Sequence, residues 1–119
     1  ASAARLTVRA PDVVRGGLLF QGRIEVRARR AIEHPRLVLD QGWLDGLQVN
    51  TIEPSPVSEA SRDGRLVLSY DRLDAGDALV VFLQFQLDPT SVGRTSNAVE
   101  LDDGTHRIAV VHRTLRRLP

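Results

Sequence analysis

Three histidines, His34, His106 and His112, are by type the side chains of this sequence best suited to ligate a metal. Their spacing argues against it. No His-x-His or His-x-x-x-His pair falls on one element, and His112 shares a face with Ile108 and Val110, which predicts a partly buried strand histidine and no zinc site. Asp12, Asp102 and Asp103 are the acids a calcium loop would use. Calcium takes about six to eight oxygens, and the Asp-x-Asp-x-Asp-Gly pattern is absent, so these residues read as turn formers. Nucleophilic catalysis needs a base beside an exposed hydroxyl. None of Ser55, Ser58, Ser61, Ser69 or Ser91 lies in a Gly-x-Ser-x-Gly elbow, and Asp71, Asp74 and Asp77 crowd one turn that needs only water. The expectation is a chain with no enzymatic activity, no cofactor and no metal.

Two constellations suit a partner instead. Trp43 stands in "DQGWLDGL", where an exposed ring beside Asp40, Gln41 and Asp45 could stack a sugar and bond its hydroxyls. The competing reading is a lone Trp capping the core at one end of a sandwich. Arg23, Arg27 and Arg29 line one face of a strand with Glu25 between them, while Arg113, Arg116 and Arg117 crowd the last residues. If those strands adjoin, the patch attracts anionic glycan or lipid headgroups. A solvated face whose arginines discourage edge pairing is the alternative. The candidate surface is therefore Trp43, Asp40, Gln41, Asp45, Arg23, Arg27, Arg29 and Arg113.

Composition narrows the partner. The 119 residues carry 16 basic side chains, all Arg, against 15 acids, for a formal net charge of +1. That balance excludes a nucleic-acid module, whose basic side chains outnumber its acids on a clear stripe. The absence of Lys points to a GC-rich genome. Cys is absent too, which removes thiol chemistry and disulfides. No apolar run is long enough to span a bilayer, so the segment itself is not expected to cross a membrane. The start at Ala1 leads us to expect an upstream segment in the parent protein.

The elements that must position these residues are strands. In "DALVVFLQFQLDP", 77–89, Leu79, Val81, Leu83, Phe85 and Leu87 alternate with Val80, Phe82, Gln84 and Gln86, the pattern of a central strand with one face in the core. Val80 and Phe82 make the other face apolar as well, which predicts a loop or the N-terminal region over it. "RLTVRA" (5–10) and "LFQGRIEVRA" (19–28) alternate likewise, the second with Phe20, Gly22, Ile24, Val26 and Ala28 inward. Strands are also expected at 36–40, 47–52, 65–70, 96–103 and 106–115, the last two forming a hairpin about "DDGT" with Arg107 and Arg113 on an exposed edge. Turn chemistry separates them: Gly16-Gly17, Arg62-Asp63-Gly64 and Asp74-Ala75-Gly76-Asp77 are the clearest cases. Seven or eight strands at this spacing predict one all-β domain over 1–119, a sandwich of two antiparallel sheets.

The stretch "GRLVLSYDRLDAGDALVVFLQFQLDPTSVGRTSNAVELDDG", 64–104, resembles the second half of the immunoglobulin-like conserved-repeat domains of bacterial surface proteins. A strand ending near Tyr70 leads to a Leu-x-x-Gly turn, a long apolar strand, a Pro and Gly connection, and an Asn-Ala-Val strand. "LDGLQV" is similar to that family's Leu-Pro-x-Gly-Leu segment, with Asp45 where the repeat usually has proline. The whole also resembles the extracytoplasmic C-terminal portion of single-span membrane proteins of high-GC bacteria. The resemblance implies an immunoglobulin-like sandwich outside the cytoplasm, tethered to the cell membrane by a segment absent here. It implies a non-catalytic interaction or spacer domain, whose partner would be a protein or a cell-wall glycan. A carbohydrate-binding accessory module using Trp43 and the arginines is the second expectation.

Overall fold

The computed structural model describes residues 3–89 and 92–118. In chain order the strands are β1 (Ala4–Arg9), β2 (Val13–Arg15), β3 (Leu19–Ala28), β4 (Pro35–Leu39), β5 (Leu47–Glu53), β6 (Ser58–Arg62), β7 (Arg65–Ser69), β8 (Ala78–Leu87), β9 (Gly93–Ser96), β10 (Val99–Asp103), β11 (His106–Val111) and β12 (Thr114–Leu118). A single 3-10 turn, Gln41–Trp43, interrupts them. No helix among the described residues is long and apolar enough to cross a membrane.

Two sheets face each other. One has the order β1-β3-β8-β5, the other β11-β10-β4-β7-β6. Alternation in the sequence decides what lies between them. Ile24, Val26, Val81, Leu83 and Phe85 from the first sheet meet Leu37, Leu39, Leu68, Val99 and Leu101 from the second, all fully buried. β8 is the inner strand it was expected to be, paired with β3 on one side and β5 on the other. Gly22 faces inward for a steric reason: a Cβ there would come within 3.4 Å of both Phe85 and Trp43, so the glycine makes room for the aromatic cluster.

The strand count is higher than seven or eight, and three pieces account for most of the difference. β6 has no apolar pattern and every residue of it is exposed. It forms because the two-residue turn Asp63-Gly64, with φ of 54° and 75°, folds it onto β7, and such positive-φ turns match strand twist. β2 is a three-residue strand that runs parallel to β12 in a third, small sheet of order β2-β12-β9, while every pairing within the two facing sheets is antiparallel, as expected. β9 pairs with β12 beyond the expected C-terminal hairpin. That hairpin exists, with β10 and β11 joined through Gly104-Thr105, but each arm is broken, at Asn97-Ala98 and at His112-Arg113. The N–H of Asn97 donates to the Arg113 carbonyl across the two breaks at 3.0 Å.

Two expectations fail here. Among the described residues neither a loop nor the N-terminal region covers the outer face of β8: Phe82 is 38% exposed, and the guanidinium of Arg23 lies 5.8 Å from its ring centroid. A long side chain on the neighbouring strand does the covering. His112 is exposed and follows β11 instead of packing on its face with Ile108 and Val110, because the strand ends at Val111 where Arg113 turns inward.

Truncating the centre of β8 tests this packing. Leu83→Ala should lower the folding free energy by about 2 to 5 kcal/mol in denaturant titrations, the cost of a buried leucine plus its cavity. A loss under about 1 kcal/mol would put Leu83 outside the core.

Candidate functional site

Of the residues expected to form a sugar platform, Trp43 and Asp40 are used internally. Trp43 is 1% exposed, its ring centroid 5.2 Å from that of Phe85, with the Arg113 guanidinium 5.6 Å away on the ring. Its Nε1 donates to the Ala98 carbonyl. A buried ring cannot stack a sugar, so the carbohydrate reading loses its aromatic and the core-capping reading of Trp43 holds. Asp40 is the clamp of this end. Its carboxylate accepts from the Gly42 N–H at 3.2 Å, and from the Ser96 hydroxyl and the Ala98 N–H at 3.0 Å. Gly42 is required by the same close approach, since a Cβ there would fall 1.6 Å from the Ser96 carbonyl oxygen.

Arg113 is not on an exposed edge either. Its side chain is 10% exposed, and Nη2 donates to the Ala10 and Pro11 carbonyls and to Asp12, each at 3.1 Å. Burial pulls its pKa down, with Asp12 opposing. Arg117 is buried as well and donates to the Gly42 carbonyl and the Thr95 hydroxyl. These C-terminal arginines therefore do not join those of β3: β12 and β3 belong to different sheets. Gln41 and Asp45 remain at the surface, lining with Asp40, Asp63, Arg65 and Ser96 an open cleft of about 370 Å³. The backbone N–H of His34 donates to Asp103 Oδ1, and His106 is paired with Asp103 across the hairpin, but no group of three His, Asp or Glu side chains converges among the described residues.

On the outer face of the five-stranded sheet, the buried Glu100 receives Arg107 at 2.9 Å and Arg65 at 3.4 Å. Asp102 shares that face, opposite Arg107 and Arg36 in the pairing. Burial pushes the Asp102 carboxyl up to about 7, helped by its hydrogen bond to Glu100 and by that neighbour's charge. Burial acts on Glu100 in the same sense, but the hydrogen bond with Asp102 and the charges of Arg107 and Arg65 hold it below its ordinary value. The pair thus keeps one proton, on Asp102, into the neutral range.

The arginines of β3 lie on the outer face of the four-stranded sheet, and β1 adds two that sequence reasoning did not include. Register places Arg5 opposite Arg27, Thr7 opposite Glu25 and Arg9 opposite Arg23. Glu25 sits between, 2.7 Å from Arg27 and 3.2 Å from Arg23, and the hydrogen bond from Arg27, together with the charges of Arg27, Arg23 and Arg9, holds its carboxyl below the usual range against the opposing effect of burial. Arg5 and Arg9 make no ion pair among the described residues. Directly opposed like charges destabilise a sheet. Arg65 and Arg107 share Glu100, and Arg72 takes Glu33 and Asp74, while Arg15, Arg36, Arg62, Arg94 and Arg116, like Arg5 and Arg9, make no ion pair among the described residues; what sets Arg5 and Arg9 apart is that their two opposed arginine pairs share one sheet face. Arg29 follows β3 in the turn where its N–H donates to the Ala3 carbonyl, off the strand face it was assigned to. The signal for Arg5 and Arg9 was present in "RLTVRA", whose alternation sets them opposite Leu6 and Val8; their pairing with β3 was not readable without the register.

The solved structures to which the chain is similar include the CARDB domain of a Pyrococcus furiosus protein in complex with di-metal ions. The TM-score is 0.61 at 15% identity, over 98% of this chain and 90% of that one. The fold is an immunoglobulin-like sandwich, similar in architecture to that CARDB domain. No family model matches the sequence, and no curated protein does. At this identity the CARDB likeness carries architecture only, so function must be argued from the surface of the sandwich itself.

The Glu100 and Asp102 pair gives the sandwich a measurable pH response. Because the folded state holds the Asp102 proton up to about 7, above its unfolded value, it binds more protons than the unfolded chain through the mildly acidic range. Stability from this group is therefore highest at low pH and falls as pH rises through 7. Urea melts of Asp102→Asn should lose less stability than the parent between about pH 5 and about pH 8. An identical loss in both proteins would remove Asp102 as the cause.

Proposed function

We propose that the chain is a non-catalytic interaction domain of an extracytoplasmic, membrane-tethered bacterial protein, and that its contact surface is the arginine face of the four-stranded sheet. One observation carries the choice of surface: Arg5 opposes Arg27, and Arg9 opposes Arg23, with Glu25 as the nearest acid to both pairs. Guarding a sheet edge does not explain it, since an acid at position 5 or 9 would guard β1 equally well and attract the arginine across from it. An arrangement that costs the fold stability is explained by a use outside the fold. The use indicated is an anionic partner, because guanidinium groups offer planar, two-pronged donors to carboxylate, phosphate and sulfate. The immunoglobulin-like sandwich supports the non-catalytic reading by assigning most of its apolar residues to the core and clustered polar groups, Asp40, Trp43 Nε1 and Arg113 among them, to holding the sheets together. The localisation and the tether are suggested by the resemblance in the sequence.

Relieving the opposed charges separates fold from function. Arg9→Thr should leave the domain as stable as the parent or more so, by about 0.2 to 1 kcal/mol in urea melts. The same variant should leave a dextran sulfate column at lower salt than the parent. A clear loss of stability with unchanged elution would make Arg9 a structural residue and overturn the assignment of this face.

A further inference from the structure

Along β3 the arginine face runs into an apolar end. Leu19 points outward from the same strand and the same face as Arg23 and Arg27, opposite Gln86 on β8, and is 67% exposed. Leu18, 57% exposed, and Val13, 49% exposed, stand beside it around an open groove of about 350 Å³ closed below by Phe20 and Leu118. With Phe82, four of the six large apolar side chains exposed among the described residues lie on this side of the molecule. Arg15 lines the same groove. The sheet face therefore carries four arginines, Arg5, Arg9, Arg23 and Arg27, against two acids, Glu25 and Glu53, and the groove adds Arg15 with Asp12 next to Val13.

We infer that this surface docks onto an anionic lipid bilayer, with Val13, Leu18 and Leu19 entering the interface and the arginine rows holding lipid headgroups. The inference rests on the reading of the arginine face as the contact surface and adds its partner. Charge complementarity selects an anionic occupant, and the apolar end selects lipid among anions. A soluble polyanion gains nothing from burying leucine, whereas a membrane interface rewards apolar and basic side chains set side by side. The spacing fits. Leu19 and Arg23 are four residues apart, about 13 Å along an extended strand. Apolar groups dipping about 5 to 10 Å into the interface would leave Arg9 and Arg23 at headgroup level, with Arg5 and Arg27 about 13 Å further along the strands, within a Debye length at low salt, where it reaches about 30 Å.

Co-sedimentation with large vesicles tests this. The parent domain should sediment with vesicles of phosphatidylcholine mixed with phosphatidylglycerol and stay in solution with phosphatidylcholine alone. At about 0.01 M salt each arginine removed from the face should weaken binding about fivefold, so Arg5→Ser combined with Arg9→Ser should weaken it about 25-fold. Leu18→Ser with Leu19→Ser, both exposed and neutral to folding, should abolish sedimentation while leaving dextran sulfate retention unchanged. If the parent is retained by dextran sulfate but never sediments with the anionic vesicles, the lipid inference fails and the arginine face stands with a different anionic partner, such as a glycan or an acidic protein. If the leucine variant sediments like the parent, the apolar end has no part and the inference fails as well. If the arginine variant changes neither vesicle nor dextran sulfate binding, both readings fall together.

Discussion

The pairing of β3 with β8 is the constraint on which the rest of this sandwich depends. Nine residue pairs, from Leu19 with Gln86 to Arg27 with Ala78, fix these strands side by side at the centre of one sheet. Strand side chains alternate with a period of two, so a slip of one residue would carry Ile24, Val26, Val81, Leu83 and Phe85 into water and the arginines into the core. Burial of five fully enclosed apolar side chains against the other sheet, each worth about 1.5 to 3 kcal/mol, makes that slip prohibitive. The core therefore dictates where the charges go. β1 then adds to β3 in register, and the outward positions of both strands meet as arginine against arginine.

Arginine does two different jobs in this chain, and their environments tell them apart. Arg113 and Arg117 are held by carbonyls at the end where the two arms of the long hairpin break, with Trp43, Asp40 and Gly42 filling the space. Removing Arg117 would strand the buried Gly42 carbonyl, and removing Arg113 would take its donor from the partly buried Ala10 carbonyl. Arg5 and Arg9 have an opposite setting: exposed, without ion pairs among the described residues, and facing like charge. In a sequence whose basic residues are all Arg, residue type alone cannot distinguish a structural guanidinium from a free one.

That limit explains what was legible. Strands with strict alternation were read nearly to the residue: β3 at 19–28, β5 from 47, β7 from 65 and β8 to 87, because burial on one face is written as a period of two. β6 was not legible because Ser58–Arg62 buries nothing and owes its existence to a turn. The breaks at Asn97-Ala98 and His112-Arg113 were hidden because their cause is distant: the Asp40 carboxylate takes the Ala98 N–H from 58 residues away. Trp43 was ambiguous for the same reason, its neighbours Phe85 and Arg113 lying far along the chain. Arg23 and Arg27 could be placed on one strand face from the sequence, while the opposed pairs that make the face unusual exist only once β1 and β3 are in register.

The central claim is that the fold tolerates repulsion on this face. A double-mutant cycle on Arg9 and Arg23 measures it directly: folding free energies of the parent, Arg9→Thr, Arg23→Thr and the double variant, from urea melts at low and at high salt. The account predicts a coupling of repulsive sign, about 0.2 to 1 kcal/mol at low salt, shrinking as salt screens the charges. A coupling that is zero or attractive at low salt would contradict it, and the face would then be an ordinary solvated surface.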